Sequence, residues 1–171
     1  MKKTALTGLM VSLALIFSYV EAVLPLGALV PIPGFKLGIS NVAVLFAVIY
    51  IGRKEALFVL FLKTTLSSLL FGTLSGLAFS LTGGLLSLGI VLLLLPLFRR
   101  SVGYLGLCIA GAACHNLGQL LAATAVLGTW TVWSYGPVLL LAALCTGVVT
   151  GVLCLTVFGQ LERIGLIVPK A

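Results

Sequence analysis

The sequence predicts an all-α integral membrane protein built as one bundle of six transmembrane helices, and three observations carry that prediction. Hydrophobic residues make up 61% of the 171 positions and charged ones only 8%, with a mean hydropathy of +1.33. A water-soluble domain of this size needs far more charge to cover its surface. Basic residues fall between the apolar runs, at Lys2-Lys3, Arg53-Lys54, Arg99-Arg100 and Arg163/Lys170. These clusters alternate with loops holding little positive charge, so the positive-inside rule puts both termini in the cytoplasm. The third observation is a break, Pro31–Asn41, holding two prolines, two glycines, Lys36, Ser40 and Asn41. Irregular backbone is tolerated at membrane depth only when sheltered by protein or lining a cavity. The segment is therefore expected to be a partly inserted loop that forms a wall or lid of a binding site.

The first helix is placed at about 5–25. Its Lys2-Lys3, apolar run and Val20-Glu21-Ala22 resemble a secretory signal, but the apolar run continues to Val30 and is read as a retained span. The second, about 39–51, begins at the N-cap types Ser40 and Asn41 and ends at Gly52. It is short for a crossing of about 20 residues. The third, about 56–71, stops at Gly72 and the turn Thr73–Gly76. The fourth, about 77–98, ends at Arg99-Arg100. The fifth, about 102–127, ends in the loop Gly128–Trp133, and the sixth, about 137–158, ends before Gln160–Arg163.

Composition also limits the chemistry. The chain has no aspartate, and its acids are Glu21, Glu55 and Glu162, so magnesium held on clustered carboxylates is not expected. One histidine and three glutamates leave no nucleophile triad to assemble. Cys108, Cys114, Cys145 and Cys154 lack metal-ligand spacing and are read as packing residues. No catalytic residue, metal or cofactor is expected. The net charge of +7 is dispersed in pairs, unlike a nucleic-acid-binding face.

Ionisable side chains within membrane spans are costly and usually face a cavity or a partner. Here they are Glu21, Lys63 and His115. Lys63 and Ser67 are four apart, as are Thr64 and Ser68 and also His115 and Gln119, with Asn116 beside them, so each set shares a helix face. These faces, roofed by Pro31–Asn41, predict an outward-opening polar pocket lined by Glu21, Lys36, Asn41, Lys63, Ser67, His115, Asn116 and Gln119. Two lysines against one glutamate would favour an anionic or acceptor-rich small molecule. Alternatively, Glu21 and Lys63 pair with one another and His115-Asn116 tie helices together. Trp133, with Trp130, lies in the last outer loop, as an interfacial anchor or a lid over the cavity. Small residues recur every fourth position at Gly106, Ala110, Cys114, Gly118 and Ala122, and again at Ala142, Thr146, Thr150 and Cys154, beside Ala143, Gly147 and Gly151. Such stripes let helix backbones approach closely. A similar stripe, Ala14, Ser18 and Ala22, either packs within the bundle or docks another membrane subunit.

The stretches Pro33–Asn41, Gly52–Leu57, Gly83–Ser87 and His115–Gln119 resemble a bacterial membrane family, the Gx transporter family, also labelled heptaprenyl diphosphate synthase component I. The similarity covers nearly the whole chain. Its layout is also similar to the S components of energy-coupling factor (ECF) vitamin transporters. That resemblance implies a protein of the bacterial cytoplasmic membrane that binds a small molecule near its outer face. It implies partners too: a membrane scaffold subunit met by Ala14, Ser18 and Ala22, and ATPase subunits that supply the energy, since the chain has no phosphate-binding loop. The loop Pro31–Gly38 and Asn41 would close over the ligand. The prenyl synthase label does not fit a stand-alone enzyme, because such enzymes hold magnesium and diphosphate on aspartate-rich motifs. An accessory membrane subunit remains the other expectation.

Overall fold

The computed structural model describes residues 2–24 and 38–169. Among these, six α-helices follow in order: α1 (Lys2–Val23), α2 (Ser40–Phe46, continued by a π-helical turn Ala47–Ile51), α3 (Arg53–Phe71), α4 (Leu74–Leu94), α5 (Tyr104–Leu127) and α6 (Gly136–Arg163). No β-strand occurs among the described residues. Four stretches are long and apolar enough to cross a membrane: Lys3–Val23, Leu74–Leu97, Tyr104–Leu127 and Trp130–Arg163. Their outward surfaces carry exposed Ile16, Leu93, Leu141 and Val149, which water would penalise and lipid would not. This is the pattern of a helical membrane protein.

The other two helices fall short of that standard for different reasons. Helix α2 reaches about 18 Å at 1.5 Å per residue, against a hydrocarbon core of about 30 Å. It is buried on every side from Val42 to Ile51 and forms the middle of the apolar core. Helix α3 carries Arg53, Lys54, Glu55 and Lys63 within its 19 residues.

Local chemistry moves the expected boundaries by a few residues. Gly52 adopts φ 157° and ψ 165°, a conformation glycine reaches easily, and its carbonyl accepts from Ala56 N at 3.0 Å. Helix α3 therefore starts at Arg53, three residues before the expected 56. Helix α4 starts at Leu74 rather than 77 because Thr73 caps it, accepting from Gly76 N at 3.1 Å. It gives way to a 3-10 turn at Leu95–Leu97, where Pro96 cannot continue the α-helical ladder. Pro137 sits in the first turn of α6, where a missing N–H costs nothing, and α6 runs past the expected 158 to Arg163.

Helices α4, α5 and α6 pack in sequence order, while α1 and α3 close around α2. The contacts between α4, α5 and α6 are backbone-close. A Cβ on Gly118 would lie 2.7 Å from the Cα of Gly83, and one on Gly147 would lie 2.6 Å from the Cα of Ile109. Gly118 and Gly147 are thus the points at which the predicted small-residue stripes let helices touch. The stripe on α1 behaves differently from the docking expectation. Ala14 is 0% exposed and belongs to the core, while half-buried Ser18 and exposed Ala22 border a cavity. No partner can reach Ala14 in this arrangement.

Candidate functional site

Glu21 and Lys63 are both buried, 7% and 5% exposed. Burying charge is expensive unless hydrogen bonds compensate, and α2 supplies them. The Glu21 carboxylate accepts from the Ile39 backbone N–H at 2.6 Å and from Ser40 Oγ at 3.5 Å. It thereby caps the start of α2 from a different helix, where a negative charge also meets the positive end of the helix dipole. Lys63 Nζ donates to Ser40 Oγ at 3.1 Å and to Asn41 Oδ1 at 2.5 Å. Ser40 therefore links the acid to the base, and the first turn of α2 is clasped between α1 and α3.

This clasp forms one side of a cavity of about 350 Å³. Its lining includes Glu21, Asn41, Lys63 and Ser67 from one side and His115, Asn116 and Gln119 from α5. The four-residue spacings on α3 and α5 set these side chains on shared faces, and the helix packing turns those faces together. Thr64, also on the lining, returns its hydroxyl to the Leu60 carbonyl at 2.7 Å, and Asn116 Nδ2 donates to the Leu139 carbonyl of α6 at 2.7 Å. Asn116 thus ties α5 to α6 while also facing the cavity. The His115 ring lies over Gly83, where an added Cβ would come within 3.0 Å of it. A substituent on α4 at that point would displace the imidazole.

One expected residue, Trp133, stands elsewhere, and another lies beyond what the structure describes. Lys36 lies outside the described residues, as does the break up to Leu37. Trp133 does not line the cavity. Its indole N–H donates to Thr124 Oγ1 at 3.0 Å, and its ring stacks on Trp130 with centroids 5.9 Å apart. The partner for the indole is five residues beyond Gln119 on α5, so Trp133 fastens the α5–α6 connection and does not line the pocket.

A second chamber of about 70 Å³ adjoins the first, the two sharing Gly38, Asn41, His115 and Asn116 on their walls. It runs into the core between Val44, Leu45, Val48, Leu60 and Leu107. At the other end of α2, Tyr50 OH meets Tyr104 OH at 2.5 Å, and both phenols donate to Glu162 Oε1, at 2.6 and 2.9 Å. Arg99 pairs with Glu162 Oε2. This cluster was not anticipated. Its available signal was Glu162, an acid close in sequence to Arg163 and on the same expected side as Arg99-Arg100. Between α5 and α6, the Cys108 and Cys154 sulfurs are 3.9 Å apart. Among the described residues, no three His, Cys, Asp or Glu side chains come together as metal ligands would.

The family model for heptaprenyl diphosphate synthase component I matches residues 10–157. That match takes in the clasp, the cavity and all but the last six residues of α6. The chain belongs to this family. No curated protein and no solved structure matches the chain.

Proposed function

We propose that this chain is the ligand-binding membrane subunit of a transport system, arranged like an ECF S component. It spans the bacterial cytoplasmic membrane six times, with both termini inside. Its ligand is a small vitamin-like, flavin-like or isoprenoid-related molecule. It performs no catalysis itself, and a scaffold subunit with ATPases provides the energy. One observation carries this reading: a cavity of about 350 Å³ in an apolar bundle, walled by polar groups from α1, α2, α3, α4 and α5. Packing alone does not call for so many polar side chains converging on open space, whereas ligand pockets are built that way.

Native mass spectrometry of protein purified from membranes tests it directly. A co-purified small molecule is expected, with lower occupancy in Lys63→Ala and Asn41→Ala that still insert and purify. Equal occupancy in all three proteins would overturn the site. Affinity capture from membranes should also recover a scaffold subunit and ATPases.

The family's own description favours a second reading, a non-catalytic membrane accessory of heptaprenyl diphosphate synthesis. The absence of aspartate from the chain keeps the reaction itself on a partner. Co-expression with a soluble prenyl synthase should then alter product length or draw the synthase to the membrane, and an unchanged product in an unchanged location would count against it.

A further inference from the structure

The two chambers differ in chemistry and share Gly38, Asn41, His115 and Asn116 on their walls. Among the described residues, the wide chamber carries one acid, Glu21, and one amine, Lys63, bridged by Ser40. Around them stand hydroxyls and amides, including Ser67, Ser80 and Gln119. The narrow chamber is mainly aliphatic. Val44, Leu45, Val48, Leu60, Val91 and Leu107 line it, and each is buried. The Thr146 and Thr150 hydroxyls on its wall are spent on carbonyls of α6. An open space lined in large part by alkyl groups loses dispersion contacts along those walls. Gly111 helps keep it open, since a Cβ there would meet Ser87 Oγ at 3.1 Å and Val91 Cγ2 at 3.4 Å.

The geometry points to an amphiphile as the ligand: a head group without net charge, zwitterionic and rich in hydrogen-bonding atoms, held in the wide chamber, and a slim aliphatic tail passing between Asn41 and His115 into the narrow one. This rests on the ligand-binding reading above and specifies its chemistry. Asn41 and His115 belong to both chambers and mark where head gives way to tail. The narrow chamber, about 70 Å³ against about 350 Å³, admits a short unbranched chain and no second ring system.

Carnitine and its acetyl, butyryl, hexanoyl and octanoyl esters form a soluble series with one zwitterionic head and a graded tail. Binding to the full chain in lipid nanodiscs is measured by calorimetry, and the readout is each ester's affinity relative to carnitine in the same protein. That ratio should rise by about fourfold per buried methylene, then stop rising once the narrow chamber is full. Ala112→Leu, which fills that chamber, should move the optimum to a shorter tail. Val91→Ala, which enlarges it, should move the optimum to a longer one. A ratio that climbs to octanoyl identically in all three proteins means bilayer partitioning and overturns the proposal. A ratio of one throughout overturns the tail site but leaves a polar ligand site standing. Failure of carnitine and every ester to bind overturns the amphiphile, while the co-purified ligand still decides the cavity on its own.

Discussion

At the scale of single residues, the decisive position is Ser40, which stands between a buried acid and a buried base. It donates to Glu21 and accepts from Lys63, so neither charge is buried without compensation. Glu21 has a further task, since its second oxygen accepts the Ile39 N–H, a donor at the helix start that no helical carbonyl can satisfy. Glu21→Ala removes both acceptors and should lower stability by about 1–3 kcal/mol, the cost of stranding buried polar groups. Glu21→Gln keeps an amide oxygen for Ile39 and should lose less. Thermal unfolding of the two variants in the same detergent checks the order, and equal losses would mean that charge alone matters. The residue types at this site were legible from sequence, because Glu21, Lys63 and His115 are expensive inside a membrane and must be accounted for. The role of Ser40 was legible only as a helix start, because its bonding to two other helices depends on packing that no local pattern encodes.

At the scale of helices, the bundle depends on glycine where backbones touch. The α4–α5 contact at Gly83 and Gly118 leaves no room for a Cβ, with 2.7 Å from Gly118 to the Gly83 Cα, and backbone cannot rotate away as a side chain can. Gly118→Leu should therefore push α4 from α5 and cost about 1–3 kcal/mol or more. It should also disturb the cavity, because His115 packs on Gly83 one turn away. Gly89→Ala on α4, with nothing within 4 Å, is the matched control and should be neutral or slightly stabilising. Size-exclusion profiles with heating distinguish them. The sequence repeat located this contact but not its partner, and on α1 the same kind of repeat runs from Ala14 in the core to Ala22 at the surface. A stripe of small residues states that something approaches closely; which element approaches is set by the whole arrangement. Helix ends were placed to within a few residues wherever proline or glycine punctuates the chain, as at Gly52, Pro96 and Gly128. The largest displacement, at the end of α6, arose where Gln160–Arg163 continue the helix because Glu162 is engaged by Tyr50 and Tyr104.

At the scale of the molecule, α2 joins two polar centres that have no residue in common. Its first turn is clasped by Glu21 and Lys63, and its π-helical end presents Tyr50 to Tyr104, Glu162 and Arg99. Asn41 and Tyr50, nine positions apart, are separated by about 13 Å of helix, beyond the range at which independent sites usually couple. Between them, α2 is buried and apolar throughout, so its position is fixed by both ends at once. Glu162→Ala removes the acceptor shared by two buried phenols and should cost about 1–3 kcal/mol, and Lys63→Ala takes the donor from Asn41 Oδ1 and leaves Ser40 bonded to Glu21 alone. If α2 is simply held at each end, the double variant should lose the sum of the two within about 0.5 kcal/mol. If instead α2 shifts as a rigid rod when one clasp is released, releasing the second costs less, and the double variant should fall short of that sum by more than this margin. Unfolding of the wild type, both single variants and the double variant in one lipid environment measures the difference. The second outcome would make α2 the element through which ligand at the cavity is sensed at the far end of the bundle.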